Sequence, residues 1–219
     1  AGAQVVITPT DVEPEDPRSY YSVSKRLATD TPNAFYANQY HNTDNTEAHY
    51  ISTGPELWEQ TGGEIDAFVA GLGTGGTITG TGRYLKEQKP DIELVGVDVN
   101  GSVYYDFWKS GTVVEAYSYK VEGIGEDFFP STIDISVIDH MVQLTDKQCF
   151  DTTRALARLE GLYTGGSGGA AVLGAIKYAE MIDRPANIVV LLPDSYVRYL
   201  NKIFDDDWMR ENGFLDPEE

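Results

Sequence analysis

Residues 64–88, EIDAFVAGLGTGGTITGTGRYLKEQ, constrain the fold more than any other stretch of the chain. EIDAFVAGL (64–72) reads as a buried strand and TITGTGRYLKEQ (77–88) as a helix, with a glycine-rich turn between them. Such a junction points backbone N–H groups out of the turn, and the helix dipole adds roughly half a positive charge, so it suits an anion. Glycine is required there because side chains would block the approach and because some positions need positive φ. Thr74 and Thr77 add hydroxyl donors. Gly71, Gly73 and Gly76 also satisfy G-x-G-x-x-G, with Asp98 downstream where a dinucleotide site places its ribose-binding acid. Two features count against a dinucleotide. The motif follows two helices and two strands instead of opening the first βαβ unit, and Gly-Thr-Gly-Gly-Thr makes a cup sized for one phosphate dianion. Asp98 then simply ends its strand. No Lys-Ser/Thr follows the glycines, which excludes a P-loop. A tight turn without a ligand is a further alternative, and a dinucleotide site stands behind both.

The rest of the chain alternates strand-like and helix-like segments. GAQVVITPT (2–10) reads as a strand, NAFYANQY (33–40) as a strand running into a loop, and IELVGVDV (92–99) and NIVVLLPDS (187–195) as stronger strands. DPRSYYSVSKRLATD (16–30) reads as a helix with Asp16 as N-cap and Pro17 at the first helical position. Thr53–Glu56 and Thr145–Gln148 have the spacing of capping boxes, opening ELWEQTG and DKQCFDTTRALARLEG. This alternation predicts an α/β fold: a mostly parallel twisted sheet with helices on both faces, a three-layer αβα sandwich.

The balance of 35 acidic to 16 basic residues gives a net charge of −19. A polyanion repels nucleic acid and anionic lipid, so neither is expected as a partner. The acidity suits an ordinary solvated surface or adaptation to salt. No apolar run is long enough for a membrane span and no signal peptide is visible, so a cytoplasmic location is expected. Cys149 is the single cysteine and reads as a buried thiol in a helix. His41, His49 and His140 lack ligand spacing, so no metal site is expected.

Two further glycine loops repeat the logic of the first. Gly165-Gly166-Ser167-Gly168-Gly169 opens a helix of small residues, and its serine sits where a ligand could approach closely. Glu122–Pro130, EGIGEDFFP, has no helical period and leaves amides accessible at Gly123 and Gly125; by itself it reads equally as a structural turn or a binding loop. Loops facing one crevice at strand carboxyl ends are where open α/β sheets bind ligands.

Together these loops resemble a known family: the fold-type-II pyridoxal-phosphate enzymes, comprising cysteine synthases and cystathionine β-synthases. The resemblance runs from about Ala1 to Leu215 through NQYHN, GTGGT, VEGIGEDFFP, EGLYTGGSGGAAV and VVLLPDS. It implies that Gly73, Thr74, Gly75, Gly76 and Thr77 hold the phosphate of pyridoxal 5′-phosphate and that Ser167 meets its pyridine nitrogen. Gln39, Tyr40, Gly123, Ile124 and Gly125 would line the substrate cleft. GIGEDFFP and the DDDWM…NGF tail resemble the cystathionine β-synthase branch, with Glu126 where animal forms carry tyrosine. The implied reaction is β-replacement on serine, or an activated serine such as O-acetylserine, by homocysteine to give cystathionine. The alternatives are a cysteine synthase, with sulfide as nucleophile, and a non-catalytic phosphate-binding module. A homodimer is implied.

The resemblance also implies an incomplete N-terminus. The family's Schiff-base lysine lies early in the catalytic domain, and no segment here matches it; Lys25, on a helix pattern, reads as a solvated lysine. No catalytic residue is therefore assigned within the chain, and the chain alone is expected to be inactive. The implied organisation is residues 1–10 as the end of a smaller N-terminal subdomain, 11–204 as the large cofactor-binding domain, and 205–219 as an exit segment, with Trp208 and Phe214 as candidates to pack it back.

Overall fold

A computed structural model describes residues 2–9, 12 and 15–216. The chain divides into two compact units, residues 1–38 and 39–219. The expected junction between residues 10 and 11 lies outside the described residues. In the first unit, helix α1 spans Tyr20–Asp30. Its N-cap is Ser19, whose hydroxyl accepts from the Ser22 amide at 3.1 Å, and not Asp16 as expected. The Asp16 carboxylate instead pairs with Arg18, which holds it down at about 2. Residues 2–9, expected as a strand, are not in one: no strand among the described residues pairs with them, and an extended segment without a ladder is not a sheet strand. The same holds for 33–40.

The second unit begins with a nearly continuous helical run: α2 (Asp44–Ala48), a π-helical turn (His49–Thr53) and α3 (Gly54–Gln60). The expected capping box at Thr53 does not form, because Thr53 is itself helical and its side chain turns to His49. There follow β1 (Ala67–Gly71), α4 (Gly76–Gln88), β2 (Glu93–Val99), α5 (Tyr104–Ser110), β3 (His140–Leu144), α6 (Asp146–Glu160), α7 (Gly166–Met181), β4 (Ile188–Val190) and α8 (Asp206–Glu211). The four strands form one parallel sheet in the order β3-β2-β1-β4.

Alternation along β1 explains the layers. Ala67 and Val69 face a cluster built with α6, α7 and α8 through Phe150, Ala170, Tyr178 and Met209. Phe68, Ala70 and Leu72 face the opposite cluster, with Ile78 and Leu85 of α4 and Tyr104 of α5. Both faces are buried, as a parallel sheet requires, and each fully buried large side chain contributes about 1.5–3 kcal/mol. The capping box expected at Thr145 forms, with Thr145 Oγ1 accepting from the Gln148 amide and Gln148 Oε1 from the Thr145 amide. Gly161 ends that helix in the left-handed region.

Asp205 caps α8, whose Met209 is fully buried, and Trp208 and Phe214 pack on Phe150. The aspartates at 205–207 thus open a docked helix. Cys149 is buried, and burial pushes its thiol up to about 12.

Candidate functional site

The chain leaves β1 toward β2 and β3 on one side, then returns past them to place β4 on the other side of β1. The carboxyl edge between β1 and β4 is therefore a topological switch point, where loops diverge and leave a crevice. The first glycine loop follows β1 at this edge. Its turn is closed by Gly75, which takes φ +78 and heads α4 without any side-chain cap.

Hydrogen bonds around this turn draw its carbonyls outward. Leu72 O accepts from the Gly125 amide at 2.6 Å, Gly73 O from the Tyr104 hydroxyl at 2.8 Å, and Thr74 O from the Thr132 hydroxyl at 2.6 Å. The amides of Thr74, Gly75 and Thr77 donate to no acceptor among the described residues. Carbonyls turned away and amides left over make a cup for an anion. Asn45 forms one wall, its Nδ2 donating to Thr74 Oγ1 at 3.0 Å and to Gln39 O at 2.8 Å. The other walls press close. A Cβ on Gly73 would lie 2.8 Å from Gly123 O, one on Gly75 would strike Ile133, and one on Gly76 would strike Asn45. Thr77 Oγ1 lies 3.0 Å from His49 Nε2.

The loop 122–127 leans on this cup. Gly123 and Gly125 both have positive φ, and Ile124 is buried against the side of Gly71. The loop is moored by Asp146, whose carboxylate accepts from the Lys120 and Val121 amides at 2.8 Å each. Burial, then the charge of Asp127, pushes Glu126 up to about 8. Tyr40 O lies 3.3 Å from the Thr132 hydroxyl, and the Tyr40 ring packs on Phe128. Gln39, Tyr40 and Gly123–Gly125 are thus gathered around Gly73–Thr77.

The second glycine loop is held differently. Asp194, just after β4, accepts from the Gly165 amide at 3.1 Å and the Tyr199 hydroxyl at 2.8 Å. The backbone of Leu191 donates to Val69 O at 3.0 Å, which brings the segment after β4 alongside the end of β1. Ser167 lies in the first turn of α7, 4% exposed. Asp98, the would-be ribose acid, is fully buried, and its Oδ2 accepts from the Tyr105 amide at 2.9 Å. It anchors the start of α5, and burial raises it to about 6.

Reasoning from sequence missed Asn45, His49, Tyr104, Thr132 and Asp194. Only Asp194 had a signal, the PDS that ends the last strong apolar run. A separate cleft of about 700 Å³ lies behind the 129–135 segment, lined by Thr43, Arg83, Phe107 and Phe129 among others; its Arg83 is engaged by Asp134 at 2.9 Å. Among the described residues no His, Cys, Asp and Glu cluster could hold a metal ion, and no helix is long and apolar enough to cross a membrane.

The residues present fit the phosphate of pyridoxal phosphate: unused amides at Thr74, Gly75 and Thr77, glycines at 73, 75 and 76 where a Cβ would strike the surrounding walls, and hydroxyls at Thr74 and Thr77. Comparison with known proteins agrees. Residues 1–194 match the family model described as pyridoxal-phosphate dependent enzyme. Cystathionine beta-synthase of Apis mellifera is 42% identical over 216 residues, covering 99% of this chain and 42% of that protein. That of Oryctolagus cuniculus is 42% identical over 218 residues, covering 100% and 39%. A cysteine synthase of Helicobacter pylori is 37% identical over 201 residues, covering 92% and 62%. The chain thus spans about two fifths of the length of the two cystathionine beta-synthases.

Proposed function

Since the chain belongs to the pyridoxal-phosphate dependent enzyme family, we propose that it supplies the phosphate cradle of an enzyme that replaces the β-substituent of serine, or of an activated serine, with homocysteine. In that reaction the Cβ–O bond breaks, a Cβ–S bond forms, and with serine the hydroxyl departs as water to leave cystathionine. The observation that carries the reading is the similarity to cystathionine beta-synthases along essentially the whole chain, at 42% identity. The cysteine synthase match is lower and shorter, at 37% over 201 residues. It supports the second reading, in which sulfide replaces homocysteine.

Bound pyridoxal phosphate supplies an electron sink for bonds at the amino-acid α-carbon. The chain's own residues would hold and orient it. The amides of Thr74, Gly75 and Thr77, with the Thr74 and Thr77 hydroxyls, take the phosphate. Ser167 meets the pyridine nitrogen with a neutral hydroxyl, which leaves that nitrogen unprotonated and favours β-elimination and replacement. Gln39 and Tyr40 border the amino-acid substrate, and the 123–125 loop closes the cleft against water. None of the residues named around the cradle is a lysine, and no residue of the chain is assigned to carrying the cofactor or moving the α-proton. We further propose a cytoplasmic homodimer; the exposed Leu159, Leu162, Tyr163, Val197 and Leu200 offer apolar area for it to bury.

Assaying the full protein with homocysteine and with sulfide, each with serine and O-acetylserine, tests the reading. Cystathionine as the main product is expected. Cysteine as the only product would establish the second reading instead.

A further inference from the structure

His49 is bonded at both ring nitrogens. Nε2 lies 3.0 Å from Thr77 Oγ1 and Nδ1 lies 2.9 Å from Thr53 Oγ1. The π-helical turn that carries it rests directly on α4: a Cβ on Gly80, one turn beyond Thr77, would lie 2.9 Å from His49 Cβ and 3.0 Å from the Tyr50 amide nitrogen. Short π-helical stretches recur at functional sites. Here the stretch carries a side chain that ends on a hydroxyl of the phosphate cup.

Burial lowers the pKa of His49, which keeps the ring neutral with a single N–H. Two arrangements are then open. If Nδ1 carries the proton, Nε2 accepts from Thr77, whose only hydroxyl hydrogen is spent on the imidazole, so its lone pairs face the cup and oppose an anion. If Nε2 carries the proton, it donates to Thr77 Oγ1, and the Thr77 hydrogen is free to point at a phosphate oxygen. Nδ1 then accepts from Thr53. Both arrangements align their hydrogen bonds, in opposite senses, and aligned hydrogen bonds strengthen one another; only the second runs from Thr53 through His49 and Thr77 and ends with a donor facing the ligand.

We propose that His49 is a positioning residue for the cofactor phosphate, holding the Thr77 hydroxyl by Nε2–H donation so that its proton is presented to the phosphate. This rests on the reading of Gly73–Thr77 as a phosphate cradle and adds the residue and tautomer that prepare it.

The test compares affinity for pyridoxal phosphate with affinity for pyridoxal, which lacks the phosphate, in the full protein and in His49→Phe, His49→Gln, Thr77→Ala and the His49→Phe/Thr77→Ala double variant. His49→Phe is expected to weaken pyridoxal phosphate binding about tenfold, the loss of one hydrogen bond to a charged group, and to leave pyridoxal binding unchanged. Thr77→Ala should match it, and the double variant should lose no more than either single one. His49→Gln, whose amide can donate from the Nε2 position, should recover most of the loss. Nitrogen NMR of the wild-type protein with pyridoxal phosphate bound should show His49 protonated at Nε2, and this decides the matter even where His49→Phe does not fold. Protonation at Nδ1, or additive losses in the double variant, would overturn the inference while leaving the cradle intact. Equal wild-type affinity for pyridoxal phosphate and pyridoxal would instead overturn the cradle itself.

Discussion

Two glycine loops open two helices at one edge of the sheet, and they use glycine for different reasons. At Gly73–Gly76 the need is conformational and steric: Gly75 takes φ +78, and Gly123, Ile133 and Asn45 stand where Cβ atoms would project. At Gly165–Gly169 the N-cap is extended, φ −82 and ψ −178, which any residue adopts. Those glycines serve close packing, since a Cβ on Gly168 would strike Thr164 and one on Gly169 would strike Thr153. The amide that heads this loop is also already taken, by Asp194. The first loop is a tight turn whose amides at Thr74, Gly75 and Thr77 donate to no acceptor among the described residues. The second is a tightly packed joint that presents one buried hydroxyl, Ser167.

That contrast can be broken by substitution. The largest effect is expected from Gly75→Ala, which combines a left-handed backbone with a clash against Ile133. Pyridoxal phosphate affinity should fall about a hundredfold or more by spectrophotometric titration, and stability by about 2–4 kcal/mol in urea unfolding. Gly169→Ala should cost about 1–3 kcal/mol of stability through overpacking against Thr153 and the Cys149 carbonyl, with phosphate affinity nearly unchanged. Equal losses of affinity in the two variants would erase the distinction. Asp194→Asn should cost about 1 kcal/mol, because the amide keeps one partner and loses the charge-assisted bond, again with little change in phosphate affinity.

The smallest effect sharpens the picture of the loop that leans on the first cup. Glu126 keeps its proton up to about pH 8 in the native state, whereas an unfolded glutamate releases it near 4.5. The native state therefore binds more protons between those values, so this residue's contribution to stability falls as pH rises from about 4.5 to 8. Glu126→Gln should flatten that fall and leave the protein about 1 kcal/mol more stable at alkaline pH, the gain being limited because the carboxylate is partly exposed. Thermal melts from acid to alkaline pH would check it; an unchanged profile would show that the Glu126 carboxylate is well hydrated.

The sheet's centre and the tight turn into α4 were legible for one physical reason: both are written in short local patterns. AFVAG alternates its faces, and GTGGT must turn tightly into a helix. The capping box at Thr145 is equally local and forms, whereas the same spacing at Thr53 does not. There the helical run continues through a π turn, and packing against α4 outweighs the cap. HMVQL and YYDFWKS carry too weak a period to announce β3 and α5. Asn45, His49, Tyr104 and Thr132 reach the cup from elements 28 or more residues away in sequence, and nothing in their own neighbourhoods marks them. Segment 2–9 shows the converse: a β-branched run reads as a strand, but a strand exists only where a partner completes its ladder.

The most direct test of the central claim is an amide NMR titration with pyridoxal phosphate, following both loops in one experiment. The cradle predicts that the Thr74, Gly75 and Thr77 amides move strongly downfield as they gain a charged acceptor, while those of Gly168 and Gly169 stay close to their unliganded positions. Perturbation confined to the second loop, or no perturbation in either, would contradict it.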